Sequence, residues 1–141
     1  MSDRIWPPRP WIATMLSLLR FVAGLCFMEH GLSKLFGIPV AFSGHVGGLL
    51  LPAGLIESIG GLLVCIGLLT RPAAFIMSGE MALGYFMFHA PKSPFPLVNG
   101  GDAAVLYCFI FLYLAFVGGG AWSLDRLIAG PGAWLAGPGA T

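Results

Sequence analysis

The sequence predicts an all-α integral membrane protein: a bundle of four transmembrane helices with both termini in the cytoplasm. Three observations carry that expectation. Of the 141 residues, 57% are hydrophobic and only 9% are charged, where soluble domains carry about 25% charged residues. The mean hydropathy is +0.89, and a water-soluble domain of this size cannot bury so much apolar surface, so lipid is the expected solvent. The apolar residues fall into four runs, most of them near the ~20 residues a helix needs to cross a ~30 Å hydrocarbon core. These runs are long and lack period-two alternation, which excludes strands. A net charge of +1 with no basic stripe gives no reason to expect nucleic acid.

In chain order, residues 1–10 read as a cytoplasmic lead-in. Pro7, Pro8 and Pro10 precede an apolar run with no small-residue cleavage site, so the helix that follows is expected to be retained rather than cleaved as a signal. Residues 11–120 form the transmembrane domain. Its spans are expected at 11–36, closed by Pro39, then 48–69, 72–90 and 103–117, the last extending towards Gly118-Gly119-Gly120. Thr70-Arg71-Pro72 reads as the turn between spans two and three, with Pro72 suited to a helical first turn. Pro91, Pro94, Pro96 and Asn99-Gly100-Gly101 separate spans three and four. Residues 121–141 form a cytoplasmic interfacial helix, 124–129 capped by Ser123, and a loose tail that brings Trp134 to the interface. With four spans, Arg4, Arg9, Arg71 and Arg126 fall on one side and Lys34 and Lys92 on the other. That asymmetry places the termini in the cytoplasm.

Charges inside spans are costly and usually face the bundle interior or a wet cavity. Here they are Arg20, Glu29 and His30 in span one, Glu57 in span two, and Glu80 and His89 in span three. At about 1.5 Å per residue, Arg20 and Glu80 lie about 12 Å in from the cytoplasmic side and Glu57 about 18 Å in. One layer therefore holds all three. Faces agree in part: Arg20, Gly24, Gly31 and Lys34 share a side, as do Gly54, Glu57 and Gly61, and Glu80, Gly84 and Met87. Small residues beside the charges favour close helix approach. The expected pair is Arg20 with Glu57, read either as an ion pair that fixes helix register or as part of a proton-handling cluster beside a bound redox molecule. A buried pair is weak evidence of stability by itself. Glu29, His30, Lys34 and His89 form a second, outer layer, with His45 and Asp102 in loops over it. Glu29 falls on the far side of its helix from Arg20, and His89 from Glu80.

Metal chemistry has little support. His30, His45 and His89 lack a paired spacing, and haem ligation by two of them is the weaker alternative. Cys26, Cys65 and Cys108 sit in apolar runs with no metal-ligand spacing. Cys26 and Cys108 could form a redox pair only if their helices touch. Met77, Met81 and Met87 read as flexible core filler. No phosphate loop, G-x-S-x-G or zinc signature occurs.

Several stretches, in order over most of the chain, resemble the DoxX family of small four-helix bacterial membrane proteins. They are LLRFVAGLCFMEHGLSKLFG, LIESIGGLLVCIGLLTRPAA, NGGDAAVL and GGGAWSLDRL. The resemblance matches Arg20 and Lys34 to the family's basic first-helix positions and Glu57, Gly60 and Gly61 to its E-x-x-G-G step. It matches Arg71 to the basic turn, Asp102 to an acidic position that is usually glutamate, and Ser123 and Asp125 to the S-x-D close. The chain departs from the family in reading Gly118-Gly119-Gly120 where G-P-G is common, and in a short segment between spans one and two.

The resemblance implies a bacterial inner-membrane location and a redox association. Some relatives look like subunits of a thiosulfate:quinone oxidoreductase, others like membrane partners in thiol-redox or oxidative-stress complexes. Two functions follow as expectations. In the first, the chain is a redox-associated subunit that interacts with quinone. Arg20, Glu57 and Glu80 form its catalytic cluster, and these three with His30 and His89 line the cofactor site. Glu57 or Glu80 moves protons and Arg20 stabilises developing negative charge. In the second, the chain is a non-catalytic anchor or scaffold for a soluble redox partner, which would bind KSPFPLVNGGD or WSLDRL. A transporter is a third class, without an internal repeat to support it. The expected partners are the lipid bilayer, a soluble redox protein or second membrane subunit, and further copies of the chain. The chain is expected to act as a subunit of a quinone-linked oxidoreductase rather than as an enzyme alone.

Overall fold

Each apolar run of the sequence folds as a helix, and no strand occurs among the described residues. The structure is a computed structural model that describes residues 9–44 and 47–130. The lead-in at 1–8, His45 and the tail from 131 onward, Trp134 included, lie outside the described residues. Helix α1 runs Arg9–Phe36. Helix α2 runs Leu50–Ile66, with a π-helical turn at its centre, Ile56–Gly60. Helix α3 runs Thr70–Gly84 and ends in a second π turn, Tyr85–His89. A short α4, Pro96–Asn99, leads into α5, Asp102–Val117, and α6 is Leu124–Ala129. Asp102 is therefore the first residue of α5 rather than a loop residue.

Of these, α1 holds a stretch, Trp11–Phe36, long and apolar enough to cross a membrane. The apolar helices Leu50–Ile66 and Asp102–Val117 are shorter. The turn after α2 lies earlier than the sequence suggests. Gly67 takes the left-handed conformation, φ 73°, that closes α2, as glycine does most readily. Thr70 already belongs to α3, and Pro72 sits inside its first turn.

Packing proceeds in pairs, α1 against α2 and α3 against α5. Glycines make the first pair. A β-carbon at Gly24 would lie 2.6 Å from the Cys65 nitrogen, and one at Gly61 2.6 Å from the Met28 nitrogen. Two antiparallel backbones thus touch directly, the close approach that small residues permit. In the second pair, Ser78 Oγ donates to the Cys108 carbonyl at 2.8 Å. Phe27, Val64, Ala74, Met77, Phe111 and Leu114 fill the space between the pairs.

The polarity is inverted relative to a soluble domain. Arg20, Glu57, Ser17, Thr70 and Ser78 are buried, while Phe75, Leu83, Leu106, Phe109 and Phe116 stand exposed on the outer helix faces. In water such a distribution would be a large aggregation-prone patch.

Candidate functional site

The glycine contact between α1 and α2 sets which charges meet. Because the helices run antiparallel, Gly24 faces Cys65 and Gly31 faces Ser58, so Lys34 arrives beside Glu57. The Lys34 ammonium pairs with Glu57 Oε1. The Glu57 side chain is 1% exposed and its other oxygen, Oε2, is buried with no hydrogen-bond partner. Both oxygens of Glu80, on α3, are likewise buried and unpartnered. Glu80 lies within electrostatic reach of Glu57 and Lys34, and His30 within reach of Glu57. Ser58 Oγ, next to Glu57, is a further buried atom without a partner.

Glu57 and Ser58 both belong to the π turn of α2. Such turns insert an extra residue into the helix and recur at functional sites. Lys34 also faces outward. Its ammonium lies 5.2 Å from the centre of the Phe42 ring, a cation–π distance. It lines an open groove of about 330 Å³ with Glu29, His30, Ser33, Val40 and Phe42. His30 is exposed there. It stacks on Phe27 at 6.4 Å and meets Tyr107 edge-on at 5.9 Å.

The pair expected between Arg20 and Glu57 does not form. Arg20 Nε donates to the Gly119 carbonyl at 2.7 Å and Nη2 to the Trp122 carbonyl at 2.6 Å. Nη1 reaches the carbonyls of Val64 and Cys65 in the last turn of α2. The guanidinium thus takes the place of the missing helical donors at a helix C-terminus, where a cation is also favoured by the dipole. The reason for the miss is geometric. The helices do not start in one plane: α1 extends beyond α2, so Arg20 meets the end of α2. Glu57 lies eight residues earlier, about 12 Å along that helix.

His89 is also separate from the cluster. Its Nδ1 is 3.1 Å from the Asn99 carbonyl oxygen and its ring stacks on Tyr85 at 6.2 Å. Asn99 in turn donates to Tyr85 Oη at 3.2 Å and to the Ser93 carbonyl at 2.8 Å. That knot closes the far ends of α3 and α5. Glu29 is exposed on the groove wall. Cys26, Cys65 and Cys108 are free thiols. No group of three metal-binding side chains occurs among the described residues.

Chemically, the cluster has two carboxylates and one ammonium. With both carboxyls ionised it would lack one positive charge or hydrogen-bond donor for balance, and an uncompensated charge in apolar surroundings is costly. The set can hold a proton, and it can accept a hydrogen bond from a polar group entering beside Lys34. Sequence reasoning missed Lys34 and Ser58 as members. The signal for Lys34 was present, since it shares the helix face of Gly24 and Gly31. Ser58 carried no signal of its own.

The DoxX family profile matches residues 15–90. An uncharacterized protein of Haemophilus influenzae is 44% identical over 118 residues, covering 79% of this chain and 88% of the relative. The Bacillus subtilis protein named "Putative oxidoreductase CatD" is 31% identical over 119 residues, covering 79% of this chain and 84% of the relative. No solved structure matches.

Proposed function

The chain belongs to the DoxX family, a family of membrane proteins, and from that premise we propose that it is a four-span inner-membrane subunit that binds a quinone. In this reading both termini face the cytoplasm, and α1, α2, α3 and α5 are the spans. The exposed apolar side chains on their outer faces support it. The observation that carries the redox site is the cluster of three buried carboxylate oxygens without partners, on Glu57 and Glu80, beside Lys34.

The residues fit a quinone headgroup. Lys34 and His30 offer N–H donors at the groove, and the half-buried Tyr107 ring lies beside His30. A quinone bound there supplies two-electron redox chemistry. Lys34 positions the headgroup oxygen through a hydrogen bond. Glu57, joined to that ammonium, takes or gives the accompanying proton. Glu80, in reach of Glu57, is the next proton holder inwards. Proton transfer between positioned side chains of this kind is ordinary acid–base chemistry. Arg20 acts at a distance, by fixing the end of α2 on which Glu57 is carried. Mass analysis of the protein purified in mild detergent tests the reading. Quinone should co-purify with the wild type and be lost from Glu57→Gln and Glu80→Gln, and equal quinone in all three would refute the site.

A second reading, an anchor for a soluble redox partner, draws on the connection after α3. There Phe95, Leu97 and Val98 are 65%, 83% and 72% exposed. A stoichiometric soluble protein in a quinone-free preparation would favour it.

A further inference from the structure

A second cavity lies at the opposite end of the bundle from His89 and shares no residue with the proposed quinone site. It measures about 350 Å³ and is walled by Thr70, Arg71, Gly118, Asp125 and Arg126 among others. Two guanidinium-bearing residues flank it. Arg71 is exposed and leans over Gly118, where a β-carbon would stand 3.4 Å from its Nε. The one carboxylate in the wall is already engaged. Asp125 accepts from the Leu69 N–H at 2.7 Å and the Thr70 N–H at 2.9 Å.

The decisive feature is Thr70. Its side chain is 0% exposed, yet Oγ1 has no hydrogen-bond partner. Buried hydroxyls are nearly always satisfied, and one that is not calls for an explanation. Thr70 and Arg71 both wall the cavity, and a hydroxyl together with a guanidinium matches the acceptor oxygens of a phosphate. Immediately beside it α6 exposes Leu127 and Ile128 at 77% and 75%, and Trp122 precedes it at 61%. Basic groups next to apolar side chains on a short surface helix are the pattern of a membrane-interface element.

We infer that this cavity binds the phosphate of an anionic glycerophospholipid in the cytoplasmic leaflet, with Thr70 and Arg71 as donors and Arg126 adding positive charge. The inference rests on the membrane reading above and is independent of quinone. It gives the bundle a lipid-specified anchor at the end where Arg20 and Asp125 tie the chain together.

The test is native mass spectrometry of the full chain in mild detergent, with phosphatidylglycerol, phosphatidylcholine or inorganic phosphate added. Wild type should retain phosphatidylglycerol over phosphatidylcholine. Arg71→Gln should reduce that preference about five-fold, the usual effect of one basic residue at an anionic surface. Thr70→Val should also weaken retention while leaving the melting temperature at or above wild type, because it removes an unsatisfied buried hydroxyl. Equal retention of the two lipids, or an unchanged preference in both variants, would overturn the inference. Displacement of phosphatidylglycerol by millimolar inorganic phosphate would overturn the lipid source in favour of a free-anion site. A chain that fails to enter lipid vesicles would contradict the membrane reading itself.

Discussion

Two ionisable side chains in this bundle have opposite surroundings. Arg20, 2% exposed, donates to the carbonyls of Val64, Cys65, Gly119 and Trp122. Glu80 has both carboxylate oxygens buried and no donor for either. The first is a saturated group at a helix end, where its hydrogen bonds replace those the backbone cannot make for itself. The second carries a desolvation cost that no hydrogen bond among the described residues offsets. Burial alone does not separate these two side chains; the count of satisfied atoms does. Glu57 stands between the two, with one oxygen on Lys34 and one without a partner.

The largest effect should come from breaking the saturated side. Arg20→Ala would strand four carbonyls, and a destabilisation of about 3–5 kcal/mol is expected. Denaturation in detergent measures it. Arg20→Lys should recover only part of the loss, because an ammonium cannot reproduce the planar fork of donors. A variant as stable as wild type would show that the clamp is dispensable.

A comparable disruption is expected where the helices touch. Gly24→Val would drive a side chain into the α2 backbone, since even its β-carbon would meet the Cys65 nitrogen at 2.6 Å. The protein should then elute from size-exclusion chromatography as aggregate or run as a broad peak. A sharp native peak would mean that α1 and α2 can separate at that level.

On the unsaturated side the sign reverses. Glu80→Leu should raise stability by about 1–3 kcal/mol, as replacement of unsatisfied buried polar groups by apolar ones does. Quinone binding should fall at the same time. A loss of stability instead would reveal a partner for Glu80 and remove the contrast with Arg20. A double-mutant cycle over Lys34→Met and Glu57→Gln should give a coupling between about 0.5 and 3 kcal/mol, the range for residues in one ion-pair network.

The smallest effect is at Asp125, whose carboxylate accepts from the N–H groups of Leu69 and Thr70 at the start of α3. Asp125→Ala should cost about 1 kcal/mol, as other lost helix caps do. A thermal melt resolves it. Ser123, whose Oγ accepts from the Arg126 N–H at 3.3 Å, belongs to the same knot and should behave alike.

Helix order, the small-residue contacts and the cap at Ser123 were readable because each depends on local spacing. Gly24, Gly31, Gly54 and Gly61 announced a close approach through their periodicity alone. The partner of Glu57 was not readable. It depends on how far α1 slides past α2, a tertiary quantity that an estimate of depth from helix ends cannot supply. The π turn at Ile56–Gly60 was equally hidden, since no composition distinguishes it from an α-helical turn. His89 was placed at the right end of the molecule, but its bond to Asn99 requires the chain to double back through residues 90–99, which periodicity does not describe. Asp125 of the S-x-D close was visible only through resemblance; its physical role, tying α6 to the turn after α2, emerged from its hydrogen bonds.

The affinity of the purified protein for a short-chain quinone, measured with wild type and Glu80→Gln alongside their melting temperatures, decides whether the unsatisfied carboxylates form a quinone site. If the unsatisfied carboxylates form the site, Glu80→Gln should bind at least about ten-fold more weakly, a loss of about 1.4 kcal/mol, with a melting temperature no lower than wild type. Unchanged affinity in a folded Glu80→Gln protein would show that Glu80 has no part in binding quinone.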